Sequence, residues 1–148
     1  MNPMIRQATE ADLPAVLAMS DALLAEACCN GMTRDTLDDL RAYVIHVAEA
    51  DGQLIGYAYG EAASSNWNIS ACAKGETYYD LNILYVRPEH RGSGVGKALF
   101  EAELARARSL NAKQMRLTAV NRDWKRLLHL YIDELGFEFW CATLYRDL

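Results

Sequence analysis

Apolar residues recur along this chain with two different periods, and the switches between them mark its elements. Leu13, Val16, Leu17, Leu23 and Leu24 fall at roughly helical spacing behind Thr9, with Asp12 three residues on as an Asp variant of the capping box. This predicts a helix over 10–27, stopped by Asn30-Gly31 and preceded by a short strand over 4–8. Leu37, Leu40 and Arg41 place a second, shorter helix over 33–42. Residues 43–50 alternate loosely and are rich in β-formers; Asp51-Gly52 is a hairpin signal, and 54–60 returns as the partner strand. Residues 62–76, with Ser64-Ser65-Asn66, Asn68, Ser70 and Gly75, read as a loop between strands. Loops of that length are uncommon unless they serve function, which makes this one, with its Trp67, a candidate substrate-facing segment.

The most regular strand is 78–86, with Tyr79, Leu81, Ile83 and Tyr85 on one face and Asp80, Asn82, Leu84 and Val86 on the other. Pro88 ends it. Val95, Ala98, Leu99, Ala102 and Leu110 line one side of a helix running to Asn111. A strand over 114–120, a helix over 123–134 ended by Gly136, and a last strand over 139–145 complete the pattern. Strands alternating with helices after residue 78 predict an α/β (α+β) chain, a mixed sheet with helices packed on it. No repeat, low-complexity tract or Pro/Gly-rich linker divides the chain, so residues 1–148 are expected to form a single domain.

Composition removes several function classes. At 51% hydrophobic and 24% charged residues the chain is ordinary globular protein. A net charge of −5 speaks against a nucleic-acid partner and weakly favours a cationic substrate. No apolar run suits a membrane span and no basic-then-apolar stretch opens the chain, so a cytoplasmic protein without a membrane partner is expected. Cys28, Cys29, Cys72 and Cys141 lack CxxC spacing, and His46, His90 and His129 form no ligand-spaced cluster, so no metal is expected.

The chemistry concentrates in Val86-Arg87-Pro88-Glu89-His90-Arg91-Gly92-Ser93-Gly94-Val95-Gly96-Lys97, which joins a strand directly to a helix start. Alternating glycines let the backbone turn with φ > 0 and approach a ligand closely. The first helical N–H groups lack intrahelical partners and the dipole there is positive, so a phosphate fits; Arg91 and Lys97 add charge at the two ends. A Walker A loop fails at Arg91 and at Ala98, where Gly and Ser/Thr are required. A dinucleotide fingerprint fails at Lys97, where its third glycine belongs.

Arg91-Gly92-Ser93-Gly94-Val95-Gly96, behind a strand ending Leu84-Tyr85-Val86-Arg87-Pro88, resembles the pyrophosphate loop Arg/Gln-x-x-Gly-x-Gly/Ala of the GNAT N-acetyltransferase superfamily. Residues Ile5 to Leu13 are similar to that family's opening strand and first helix, and Asp51 to Tyr57 to its second hairpin. Asn121, Tyr131 and Leu135-Gly136-Phe137 resemble its C-terminal motif. The resemblance covers nearly the whole chain. It implies a mostly antiparallel central sheet with helices on both faces and a V-shaped splay between the strands at 78–86 and 114–120. It also implies acetyl coenzyme A as co-substrate, held by Leu84, Tyr85, Val86, Arg91, Gly92, Ser93, Gly94, Val95, Gly96, Lys97 and Asn121. The implied acceptor is a primary amine of a small molecule or peptide, attacking directly without an acyl-enzyme. Backbone groups of Leu84 and Val86 are expected to bond the pantetheine arm, and an N–H of this strand to polarise the thioester carbonyl. Family habit implies a homodimer, formed through the C-terminal strand.

Many relatives carry Glu where Asn82 aligns. Asp80, two residues earlier on the same strand face, is then the candidate base, acting through a water that Asn82 orients, with Glu61 and Glu76 as substitutes. Tyr131 is the candidate general acid. Relatives show Tyr-x-x-x-Gly-Phe, whereas four residues separate Tyr131 from Gly136. Either the helix carries a bulge, or the register slips and Ile132 takes the usual place. These two departures keep a second reading open, a coenzyme A-binding sensor or interaction module without turnover. Trp124, Trp140 and His129 read as packing residues.

Overall fold

Capping threonines begin the first two helical segments. The Thr9 backbone N–H and hydroxyl both donate to Asp12 (2.7 and 2.8 Å), whose carboxylate is gripped in turn by Arg6 of the preceding strand. The computed structural model describes residues 3–66, 72–144 and 146–147. Strand β1 (Met4–Gln7) leads through one 3-10 turn, Glu10–Asp12, into α1 (Leu13–Ala25). Thr36 and Asp39 repeat the capping box at α2. That helix is confined to Leu37–Arg41 because the cap stands at Thr36, inside the segment expected to be helical. β2 (Ile45–Ala50) and β3 (Gln53–Ser64) meet at Asp51-Gly52, both at positive φ (51° and 74°), the conformation that lets a tight hairpin follow the strand twist. β3 extends beyond residue 60, so 62–64 are strand rather than loop, and Trp67 lies outside the described residues.

β4 (Thr77–Val86) is followed by α3 (Val95–Ser109), β5 (Gln114–Arg116), α4 (Trp124–Leu128) and a π-helical turn, His129–Glu134. The sheet order is β1-β2-β3-β4-β5, antiparallel except for the parallel β4/β5 pair. Helices cover both faces. Val16 and Met19 of α1 and Leu40 of α2 bury Tyr57, Tyr59 and Tyr85 on one; Val95 and Leu99 of α3 bury Ala48, Ile55 and Val86 on the other.

β4 changes sides along its length. Tyr59 pairs with Ile83 and Gly60 with Leu81, which leaves Asn82 as the extra residue of a β-bulge. Tyr79 therefore bonds Glu103 of α3, whereas Tyr85 packs with the α1 core. The single face expected for Tyr79, Leu81, Ile83 and Tyr85 is split at Asn82. Glycine at position 60 makes this possible, since a Cβ there would stand 2.3 Å from the Asp80 carbonyl oxygen.

The C-terminal part departs most from expectation. β5 ends at Arg116 instead of 120, and among the described residues no strand forms over 137–144; Tyr145 lies outside them. A β-pattern supplies suitable side chains, but a strand also needs a neighbour for its N–H and C=O groups, and none is present here. Phe139 (62%), Trp140 (50%) and Leu144 (91%) consequently stay exposed, as does Trp124. His129 is likewise a surface residue, bonded to Asp133 at 2.5 Å.

Candidate active site

The β4–α3 connection has the backbone geometry of an anion cradle. A 3-10 turn at Pro88–His90 brings the chain to Gly92 and Gly94, both at positive φ (75° and 87°). Ser93 pins the turn by donating its hydroxyl to the His90 carbonyl at 2.6 Å. The first intrahelical bond of α3 runs from the Ala98 N–H to the Gly94 carbonyl (3.0 Å); from Gly92 to Lys97 no backbone N–H has a partner among the described residues. A Cβ at Gly92 or Gly94 would meet nothing within 4 Å, so the space before these amides is open. Successive unpaired N–H groups at a helix start form the kind of nest that binds phosphate. The residues present therefore fit the pyrophosphate of coenzyme A. Lys97 lies exposed on the first turn of α3.

Arg91 is already engaged. Its Nε donates to the Val86 carbonyl (2.9 Å), its Nη2 to Glu26 at the end of α1 (2.6 Å), and its plane lies 5.6 Å from the Tyr85 ring centroid. The Glu26 bond pushes the guanidinium pKa further up, fixing its charge.

The strand edge beside the cradle is open. The Arg87 N–H donates to the Ile55 carbonyl (2.9 Å), so antiparallel alternation turns the backbone groups of Tyr85 and Ile83 toward β3. Those of Leu84 and Val86 then point the other way. β5 pairs with β4 only from Tyr78↔Gln114 to Asp80↔Arg116, and beyond that the strands part. This is the V-shaped splay, opened between β4 and an edge strand. Tyr85 offers its backbone to β3 and its ring to the core, so of the three expected β4 contacts only Leu84 and Val86 face the opening. Asn121 is exposed on the segment leaving β5, next to Arg122, whose N–H donates to the Cys28 carbonyl (3.1 Å).

On the α1 side of the bulge stand Asp80, Asn82 and Glu61. Asp80 and Glu61 are cross-strand partners, and the Asn82 amide donates to Glu61 at 3.4 Å. Asp80 also accepts a bond from Arg116 of β5 (3.3 Å), whose guanidinium carbon lies over Tyr78, 3.6 Å from the ring centroid. Glu76 is spent elsewhere, accepting from the Ala73 N–H (3.1 Å) and the Cys72 thiol.

Tyr131 sits in the π-helical turn, edge-on to Phe137 (5.8 Å), which packs on Phe100 of α3 (5.7 Å). The Phe137 N–H donates to the Tyr131 carbonyl (2.9 Å) and the Leu135 N–H to that of Leu130 (3.0 Å). The wider turn absorbs one more residue than an α-turn holds, so the helix carries the extra residue as a bulge. Burial pushes the Tyr131 phenol pKa up.

Glu26 and Arg116 escaped the sequence reading, because each acquires its role from a partner far away in the chain. So did Glu103, fully buried between Tyr79 and His46 (2.7 Å) and tying α3 to two strands. Among the described residues no His/Cys/Asp/Glu group is arranged to hold a metal, and no helix is long and apolar enough to cross a membrane.

Comparison with known proteins agrees with this geometry. The L-methionine sulfoximine/L-methionine sulfone acetyltransferase of Pseudomonas aeruginosa is 34% identical over 121 residues, covering 74% of this chain and 66% of that protein, just under two thirds of its length. The thialysine N-epsilon-acetyltransferase of Bos taurus is 28% identical over 145 residues, covering 86% of this chain and 80% of that one. The fold matches aminoglycoside N-acetyltransferase AAC(6')-Iy in complex with a bisubstrate analogue, with a TM-score of 0.76 at 19% identity over 100% of this chain and 99% of that one. Residues 12–137 match the Acetyltransferase (GNAT) family, and the chain belongs to that family.

Proposed function

We propose that the protein transfers the acetyl group of acetyl coenzyme A to a primary amine of a small molecule or peptide. The observation that carries this is the run of unpartnered amides from Gly92 to Lys97 beside the open edge of Leu84 and Val86. Bound acetyl coenzyme A supplies a thioester; Arg91, Gly92, Ser93, Gly94, Val95, Gly96 and Lys97 hold its phosphates, while Leu84, Val86 and Asn121 hold its arm. A fixed N–H of β4 aims positive charge at the reacting carbonyl. Asp80, with Glu61 beside it, takes the amine proton through a water ordered by Asn82. Tyr131, kept protonated by burial, supplies the proton at the sulfur. The activities named for the relatives, on methionine sulfoximine or sulfone and on the ε-nitrogen of thialysine, support an amine acceptor.

The finer assignments rest on the same reading. Exposed Phe139, Trp140 and Leu144 suit a homodimer in which a second copy covers the C-terminal segment. Four cysteines without CxxC spacing suit the reducing cytoplasm, and a charge of −5 suits a protein without a nucleic-acid partner.

Calorimetry with acetyl coenzyme A, comparing the wild type with Gly94→Asp, followed by thiol release with a panel of amines, tests the proposal. Gly94 has φ 87°, and an aspartate there brings strain and negative charge into the cradle, so affinity is expected to fall at least about 100-fold. Tight binding to the wild type without release from any amine favours a coenzyme A sensor instead. No binding at all removes both readings.

A further inference from the structure

Arg116 stands at the mouth of the opening, and nothing in the cofactor cradle needs it. It occupies the last paired position of β5, opposite Asp80, where the two strands begin to part. Its contact with the Tyr78 ring, at 3.6 Å from the centroid, restricts the guanidinium's movement before any ligand arrives. Among the described residues it makes a single hydrogen bond, from Nη2 to Asp80, and that bond is long at 3.3 Å.

Two other arginine–carboxylate pairs in the molecule set the standard. Arg34 donates twice to Asp21 (2.8 and 2.8 Å), and Arg6 donates twice to Asp12 (2.7 and 2.9 Å). In those pairs the planar fork is used in full; Arg116 leaves most of its fork unspent while its side chain remains 30% exposed. A guanidinium kept only to neutralise Asp80 would gain from closing to the same bidentate geometry. Beside it, on the same face, lie the carboxylates of Asp80 and Glu61. One oriented cation and two anions within a few side chains of the bulge form a dipolar surface.

We infer that the acceptor amine carries a carboxylate as well, and that Arg116 binds this carboxylate while the amine faces Asp80 and Glu61. The acceptor class is thus an amino acid rather than a simple amine or polycation. This rests on the transferase reading above and specifies its acceptor.

The test uses free L-amino acids and their methyl esters as matched acceptors, with thiol release from acetyl coenzyme A as the readout. An ester keeps the amine and skeleton but loses the anion, and its amine is less basic and more often neutral, which favours the ester if no carboxylate is read. The wild type is expected to prefer the acids by at least about tenfold in kcat/KM, because a site built around a charged group rejects the analogue that lacks it. In Arg116→Met the preference should collapse toward one, with the change carried by KM. Arg116→Lys, a point charge without a fork, should fall between. Calorimetry with coenzyme A checks that each variant is folded, and the wild-type ratio is decisive even where a variant is not. Equal use of acids and esters by the wild type overturns the inference, as does an Arg116→Met variant that slows both equally. Turnover of carboxylate-free amines alone overturns it while leaving acetyl transfer intact. No turnover with any amine overturns both.

Discussion

Residues 77–109 and residues 110–144 stand on opposite sides of the same opening but are held by different means. In the first, β4 is paired with β3 at every position but Asn82, and α3 lies on the sheet through Val95 and Leu99. In the second, β5 has three ladder positions, α4 has no buried residue, and Phe139, Trp140 and Leu144 face solvent. The difference separates the residues proposed for binding from the tyrosine proposed for chemistry. The cofactor cradle is built into the well-packed unit, whereas Tyr131 hangs on a short helix through Phe137 and Phe100. Placement of the proposed anion site is thus a property of the first region, and placement of Tyr131, the proposed proton donor, depends on the second.

Tyr131→Phe should show the largest effect on the weaker side of this contrast. We expect kcat to fall about 100-fold with coenzyme A affinity unchanged, as for loss of a general acid. Burial raises the Tyr131 pKa, so the wild-type alkaline limb of kcat should lie above the ordinary tyrosine value of about 10, and the variant should lack it. An unchanged pH–rate profile in Tyr131→Phe would remove the tyrosine from the mechanism.

Trp140→Asp tests whether the second region is completed by another copy. A charge in a surface that is covered in a dimer should halve the mass seen in sedimentation, and an unchanged mass sinks the dimer. Deleting Asp133 should have the smallest effect. It removes the extra residue of the π-turn, gives Tyr131-Ile132-Glu134-Leu135-Gly136, and lets the helix close with α-type bonds. If the bulge merely absorbs an insertion, kcat should stay within about threefold; a loss as deep as that of Tyr131→Phe would mean that the wider turn itself aims the phenol.

Legibility in sequence follows the same divide. The strand–loop–helix over 77–109 announces itself locally: alternation in β4, proline at its end, three glycines, then helical spacing. Arg91 to Lys97 could be assigned a cradle because each requirement, φ > 0, free amides and positive charge, is met within seven consecutive residues. The bulge at Asn82 left no such trace, because it depends on Gly60 admitting the Asp80 carbonyl from the neighbouring strand. Arg116 and Glu26 carry no pattern at all; one acquires its role from a parallel register and the other from a helix end 65 residues away from Arg91. The strand expected over 139–145 has a strand's side chains, but pairing is decided by what lies alongside, which no local pattern encodes.

The bulge also has a consequence for how this chain can change. Asn82 acts as a parity marker: it sets which residues of β4 are odd and which are even with respect to the two cores. Losing the bulge while keeping every residue, so that Asn82 took the place opposite Gly60 and Ile83 to Val86 stayed put, would exchange the sides of Tyr79 and Asp80. The carboxylate would then be driven toward buried Glu103, and the phenol would be turned out toward Arg116. Substitutions at position 82 leave the count intact, so they can vary the chemistry of the opening at little structural cost. A single-residue deletion between Thr77 and Asn82 can be absorbed by giving up the bulge, whereas an insertion adds a second unpaired residue, so this short stretch should tolerate shortening better than lengthening.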